Sequence, residues 1–306
     1  MLNSFLVVGS SVLTLFLMMA VGFILGKLGM LSKETLSQLS RLLLCVVSPA
    51  IMVDTFLAEE RTAATVRGLL IAGAVLVVTY VLNMVLVQLL FRRSGEKGVL
   101  RFASMYGNTG FMGIPLIQTV LGPAGMMPTV ISLVVFNITT WTHGNALIGG
   151  KLSLKKGLLN PGTIGFVLAA ILFGLQVELP APVMKAVGYI GSLNTPLAMV
   201  VIGAQMSAVD FRELVKDGRG WLVSALKLLL MPAVTMLVML PLKLEPVTFM
   251  AIAILAACPV AGATSLFCQI NGKDPSLAAR TVTLSTVLCI ITLPVVAAVA
   301  GMLAGV

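Results

Sequence analysis

The sequence predicts an all-α membrane protein of ten transmembrane helices, folded as two inverted five-helix repeats. Three observations predict it. The 306 residues are 58% hydrophobic and only 10% charged, with a mean hydropathy of +1.08, whereas ordinary soluble domains carry roughly 25% charged residues. Apolar stretches long enough to cross ~30 Å of hydrocarbon recur along the whole chain. The fourth stretch of each half is interrupted by glycine and proline.

The spans expected in the first half are Ser4–Gly26, Thr35–Leu57, Val66–Phe91, Leu100–Leu121 and Ala124–Gly149. After the basic link Lys151 to Lys156 come Pro161–Val177, Pro182–Ser207, Gly220–Leu242, Pro246–Ile270 and Leu277–Gly305. The start Met1-Leu2-Asn3-Ser4 has no basic n-region, so the first segment reads as a retained span rather than a cleavable signal. No link is long enough to form a further domain. Gly22-Phe23-Ile24-Leu25-Gly26, a GxxxG in the first span, reads as a helix-packing seam.

The net charge of +9 is spread singly between apolar runs, which points to topology and not to nucleic acid. The links after spans 1, 3, 5, 7 and 9 hold fifteen basic residues: Lys27, Lys33, Arg41, Arg92, Arg93, Lys97, Arg101, Lys151, Lys155, Lys156, Arg212, Lys216, Arg219, Lys273 and Arg280. The opposite side holds Arg61, Arg67, Lys185 and Lys243. The positive-inside rule therefore places both termini on the non-cytoplasmic side of the cell (inner) membrane.

The interruption in span 4 is Gly107-Asn108-Thr109-Gly110-Phe111-Met112-Gly113-Ile114-Pro115, and in span 9 it is Cys258-Pro259-Val260-Ala261-Gly262-Ala263-Thr264-Ser265. Proline removes a backbone donor, and each glycine weakens a helix by ~1 kcal/mol. In hydrocarbon, freed backbone groups survive only where protein or a wet cavity satisfies them. An offset of 150 maps Gly122 onto Gly272 and Asn108 onto Cys258, and Ser48-Pro49 of span 2 has a counterpart in Thr195-Pro196 of span 7. Five spans per half invert the second half. Inverted repeats with interrupted helices in matching positions point to a secondary transporter with its site at the midplane.

The fourth-span stretch Gly107 to Leu116 resembles the motif of the auxin efflux carrier (AEC) family, which includes bacterial malate and malonate permeases and is related to plant PIN-type carriers. The proline of span 2, the stretch Pro196-Leu197 to Gly203 and Cys258-Pro259 fit the same resemblance, which covers essentially the whole chain. It implies a sodium/proton-antiporter-like fold with repeats at 1–150 and 151–306 and with spans 4 and 9 crossing at unwound centres. It also implies a scaffold of spans 1, 2, 6 and 7, a moving transport core of spans 3–5 and 8–10, and a homodimer. The implied substrates are small organic anions such as dicarboxylates or auxin-like carboxylates. The long cytoplasmic loop of many PIN-type carriers is absent, since only the link around Lys151 to Lys156 joins the halves.

Two helix N-termini aimed at one point suit a carboxylate. The expected substrate-binding residues are Asn108, Thr109, Thr264 and Ser265, the backbone at Gly110, Gly113, Pro115 and Pro259, and Ser48 and Asn194 beside the paired prolines. Lys227, eight residues past Arg219, lies roughly 12 Å into span 8. Two readings stand for it, a partner for an anion in the core or a side chain snorkelling to the cytoplasmic headgroups. Asp54 is the carboxylate nearest a span interior and is kept with Lys227 and His143 as a charge or coupling candidate, although a lone intramembrane histidine reads first as a packing and hydrogen-bonding residue. Cys45, Cys258, Cys268 and Cys289 form no CxxC pair and read as packing residues, so neither a metal site nor a disulfide framework is expected. Asn137-Ile138-Thr139 matches a glycosylation sequon inside a span and is set aside. Leu76 is expected to face lipid.

The expected function is secondary active transport of small organic anions by alternating access of elevator type, with the lipid bilayer as surroundings and no cofactor. A sodium-coupled carrier of the bile-acid type would need acidic ligands in the core, and the spans supply none. An enzyme is not expected, because HExxH and GxSxG are absent and His143 is the only histidine. A channel would show charged rings or repeated filter loops.

Overall fold

A computed structural model of the chain describes residues 2–92 and 97–305. Arg93, one of the basic residues assigned to the inner side, lies outside the described residues. In chain order the main helices are α1 (Leu2–Lys27), α2 (Lys33–Leu57), α3 (Ala63–Leu90), α4a (Lys97–Met105), α4b (Thr109–Val120) and α5 (Gly122–Leu147). They continue as α6 (Pro161–Gly174), α7 (Ala181–Met206), α8 (Gly218–Leu242), α9a (Pro246–Ala256), α9b (Ala263–Ile270) and α10 (Ser276–Ala304). Among the described residues, seven helices are long and apolar enough to cross a membrane, namely α1, α2, α3, α5, α7, α8 and α10. Helices α4b, α6 and α9a are shorter and also apolar. The chain is an all-α, multi-pass membrane protein.

Local sequence explains where the helices begin and bend. Ser32, Thr62 and Asn160 cap α2, α3 and α6, each accepting a hydrogen bond from the backbone N–H three residues on. Three π-helical turns, Leu43–Val47, Thr109–Gly113 and Leu226–Leu230, each end two residues before a proline, Pro49, Pro115 and Pro232. Proline lacks the N–H and pushes away the carbonyl four residues back, and the extra residue of a π-turn absorbs both faults without breaking the helix. Gly122 and Gly272 both stand at φ +63°, the left-handed conformation that ends α4b and α9b.

The closest helix pair is α1 with α7. A Cβ on Gly22 would strike the backbone of Val200, and one on Gly203 would strike the backbone of Met19. The GxxxG of α1 is thus a packing seam, as its spacing predicts. Helix α2 packs on α6 and on the first half of α7, while α8, α9a and α10 pack on one another and α5 packs on α3. Large apolar side chains such as Leu17, Leu70 and Val77 remain outward-facing, as a lipid-facing surface requires. Leu76 does not join them. It is only 4% exposed and belongs to the core; Thr79 and Asn83, three and seven residues on, are buried on the same face, and these polar side chains in an apolar run are the signal that marks it.

Candidate functional site

The two interruptions meet. Gly107 and Val260 form an antiparallel bridge, flanked by Asn108 N–H donating to the Pro259 carbonyl at 2.7 Å and Ala261 N–H donating to the Tyr106 carbonyl at 2.9 Å. Each break supplies the hydrogen-bond partners that hydrocarbon cannot. Ser285 of α10 accepts from Val260 N–H at 3.0 Å, and the Thr264 hydroxyl donates to the Ala261 carbonyl at 2.7 Å.

The break in the first half is shorter than the sequence suggests. Only residues 106–108 leave the helix, and the run from Thr109 through Pro115 stays wound, first as a π-turn and then as α-helix. Pro115 is buried in the first turn after the π-turn, so it shifts the helix without opening it. Gly113 is also buried, and a Cβ there would press on Leu255 and Cys258, which makes it a contact with α9a.

The expected site residues therefore divide. Asn108 and Gly110 are half-buried at the start of α4b, and the Asn108 Oδ1 accepts from Phe111 N–H at 3.3 Å. Ser265 is half-buried at the start of α9b. Thr109, Pro259 and Thr264 are buried, with the hydroxyls of Thr109 and Thr264 already donating to Gly107 and Ala261 carbonyls. Ser48 is buried at the π-turn junction of α2, and Asn194 is fully buried in α7 with neither amide atom partnered. Beside it, the Thr195 hydroxyl donates to Gln118 Oε1 on α4b at 3.2 Å. Gln205 of α7 faces the other break, its Oε1 4.0 Å from the point where a Gly262 Cβ would stand. Gln118 and Gln205 are polar side chains in otherwise apolar runs, which is the signal that would have found them.

Of the charge candidates, Lys227 reaches the crossing. It is 2% exposed, and its Nζ donates to the carbonyl of Ala256, the last residue of α9a, at 2.5 Å. The snorkelling reading does not hold. His143 sits in a π-turn of α5, where its Nδ1 lies 3.0 Å from the Tyr106 hydroxyl. That hydroxyl donates to the Thr139 carbonyl at 3.0 Å, so the imidazole is the donor to Tyr106. His143 thus hydrogen-bonds Tyr106 at the edge of the break. Asp54 is half-buried on α2 against Gly188 of α7. Cys258, Cys268 and Cys289 are buried and Cys45 is exposed. Among the described residues no cluster of His, Cys, Asp or Glu could hold a metal ion.

Two mutually hydrogen-bonded helix breaks thus lie inside a multi-pass helical membrane protein, an arrangement found in secondary transporters. The chain belongs to the membrane transport protein family, the auxin efflux carrier family whose motif it carries; the family profile matches residues 7–153 and 146–297. It is 24% identical over 295 residues to an uncharacterized transporter of Methanothermobacter thermautotrophicus, covering 93% of this chain and 95% of that one. An uncharacterized transporter of Methanocaldococcus jannaschii is 25% identical over 210 residues, 64% of this chain and 68% of its own. A provisionally named malonate transporter of Rhizobium meliloti is 25% identical over 207 residues, 62% of this chain and 63% of its own. The protein is a transporter and not an enzyme.

Proposed function

We propose that the chain is a secondary carrier of small organic anions that works by alternating access of elevator type. The backbone pairing of residues 106–108 with residues 259–261 carries this reading. It draws the N-terminal turns of α4b and α9b to one place, and the dipoles of these two helices favour a carboxylate there. Asn108, the Gly110 backbone and Ser265 are the half-buried groups that meet the anion, with Gln205 facing them from α7. Malonate, named for one relative, is the first dicarboxylate to test.

In this reading ten crossings form two inverted repeats, 1–150 and 151–306. Helices α1, α2, α6 and α7 are the scaffold, and α3–α5 with α8–α10 are the moving core. The matched φ of Gly122 and Gly272, 150 residues apart, supports the repeat. The tight packing of α1 on α7 and of α2 on α6 supports the scaffold. Both termini lie outside the cytoplasm in the inner membrane, from the basic-residue asymmetry, and the resemblance supports a homodimer.

Purified protein in liposomes, loaded with unlabelled malonate or malate and given a labelled trace outside, tests the reading. A carrier accumulates label transiently by counterflow. Flux without trans-stimulation would mean a channel, and no flux of any mono- or dicarboxylate would remove the anion assignment.

A further inference from the structure

Among the described residues, Lys227 is the only charged side chain in the buried interior. It lies in the π-turn Leu226–Leu230 of α8, and its stem runs to the crossing of the two breaks. A Cβ on Gly107 would stand 2.8 Å from Lys227 Cε, 2.9 Å from its Nζ and 3.2 Å from the Cys258 carbonyl oxygen. The ammonium is therefore wedged between the Gly107 backbone and the C-terminal end of α9a, where it donates to the Ala256 carbonyl. Among the described residues it forms no ion pair with a carboxylate.

A buried cation costs several kcal/mol unless something compensates it. Here the compensation is backbone. The C-terminus of a helix carries about half a negative charge, and α9a ends on the carbonyl that Lys227 binds. Beside the ammonium lies a cavity of about 40 Å³, lined by Thr79, Tyr80, Asn83, Thr109, Ser132 and Thr235. It is large enough for one water. Asn83 Oδ1 and Ser132 Oγ are buried without a partner and supply further oxygen atoms. In secondary transporters with broken helices, half-helix C-termini and unwound carbonyls are the groups that hold the coupling cation. In this chain that position is filled by a cation attached to the chain.

We infer that Lys227 is a tethered substitute for a coupling cation, so that anion binding and transport here require no sodium or other alkali cation. This rests on the carrier reading above. Vacating the position should turn a built-in cation into a dissociable one.

The test uses the purified full chain in detergent, melted without any organic anion in sodium, potassium or choline chloride at equal ionic strength. Wild type is expected to melt at one temperature in all three. Lys227→Ala should melt lower in choline and recover part of the loss in sodium, potassium or methylammonium, because a cation bound only by the folded form stabilises it. A wild type stabilised by sodium or potassium over choline would overturn the inference. So would a Lys227→Ala protein that is indifferent to all added cations. Where Lys227→Ala cannot be recovered, Lys227→Met, of similar length, is titrated with the anion in choline chloride. A loss of at least roughly tenfold in affinity is expected, and a wild-type response overturns the assignment. The melting arms contain no organic anion, so a wrong substrate class would leave them unchanged and would show only in the anion titrations.

Discussion

The backbone N–H of Asn108 donates to the carbonyl of Pro259 across 2.7 Å, joining two chain segments that lie in opposite halves of the sequence. Pro259 can give nothing back, having no N–H. Its neighbour Ala261 does so instead, donating to the Tyr106 carbonyl at 2.9 Å. Neither break can be displaced far alone while both bonds hold.

Gly107 is the residue on which this crossing closes. Gly107→Ala would place a methyl group against Lys227 Cε and Nζ and 3.2 Å from the Cys258 carbonyl oxygen. The flexible lysine tip can retreat, but only by leaving the Ala256 carbonyl. A stability loss of ~1–3 kcal/mol is expected, together with loss of uptake. A melting temperature and transport rate equal to wild type would show that the contact has no weight.

Much of this was legible in the sequence. Spans are visible because hydrocarbon demands long apolar runs, and the paired interruptions are visible because glycine and proline are conspicuous inside such runs. The exact place of the first break was not. Proline at 115 suggests an opened helix, yet the π-turn Thr109–Gly113 absorbs its effect and the chain unwinds earlier, at residues 106–108. The placement of Lys227 was equally hidden, because depth along α8 does not say which way a side chain points. Ser285, which satisfies Val260 N–H, lies in a run of hydroxyl residues that α10 shares among several contacts. Which of them meets a break depends on tertiary packing.

The α1–α7 seam has no room for side-chain growth. Gly203→Val would drive branched carbons into the Met19 backbone, a neighbour that cannot rotate away. Loss of folded protein, from a cost of ~3 kcal/mol or more, is expected by detergent-stable chromatography. Gly9→Ala on α1, where nothing lies within 4 Å, should behave as wild type.

Outside the spans, Asp217 ties the α7–α8 link to α10. It receives Arg219 at 3.3 Å and Arg280 at 3.2 Å, and its side chain is 11% exposed. Burial by itself raises its carboxyl, but hydrogen bonds from Arg219 and the charges of Arg219 and Arg280 outweigh this and hold it below the ordinary value. A depressed folded-state value means the contribution is complete above the unfolded carboxylate range, about pH 4. It is lost as pH falls through the lower folded value. The expected size is no more than about 1 kcal/mol, since Arg219 is half exposed. Asp217→Asn should be slightly less stable than wild type at pH 7 and should narrow that gap under acid. A constant gap in melting temperature down to pH 3 would contradict the ion-pair account.

The orientation proposed for the membrane rests on basic residues such as Lys155, which is exposed on the link before α6. In a Cys45→Ser background, which removes the exposed native thiol, Lys155→Cys should resist an impermeant thiol reagent in intact cells and react after permeabilisation. Labelling in intact cells would reverse the topology.

Asn108 gives the most direct test of the site, because its side chain has a structural duty that can be separated from the proposed one. Its Oδ1 caps α4b through Phe111 N–H, so Asn108→Ala loses both the cap, worth ~0.5–2 kcal/mol, and any hydrogen bond to an anion, worth ~1–3 kcal/mol. Asn108→Asp keeps the capping oxygen and is as good an N-cap, but puts a negative charge where the anion is held. The aspartate variant should melt near wild type and fail to bind dicarboxylates. The alanine variant should melt lower and bind roughly five- to a hundredfold more weakly. Val77→Ala, at a position 52% exposed on α3, is the lipid-facing control and should change neither. Anion-induced thermal stabilisation and liposome uptake, measured separately for all three, decide the matter. Wild-type affinity in Asn108→Asp would mean that the anion is held elsewhere.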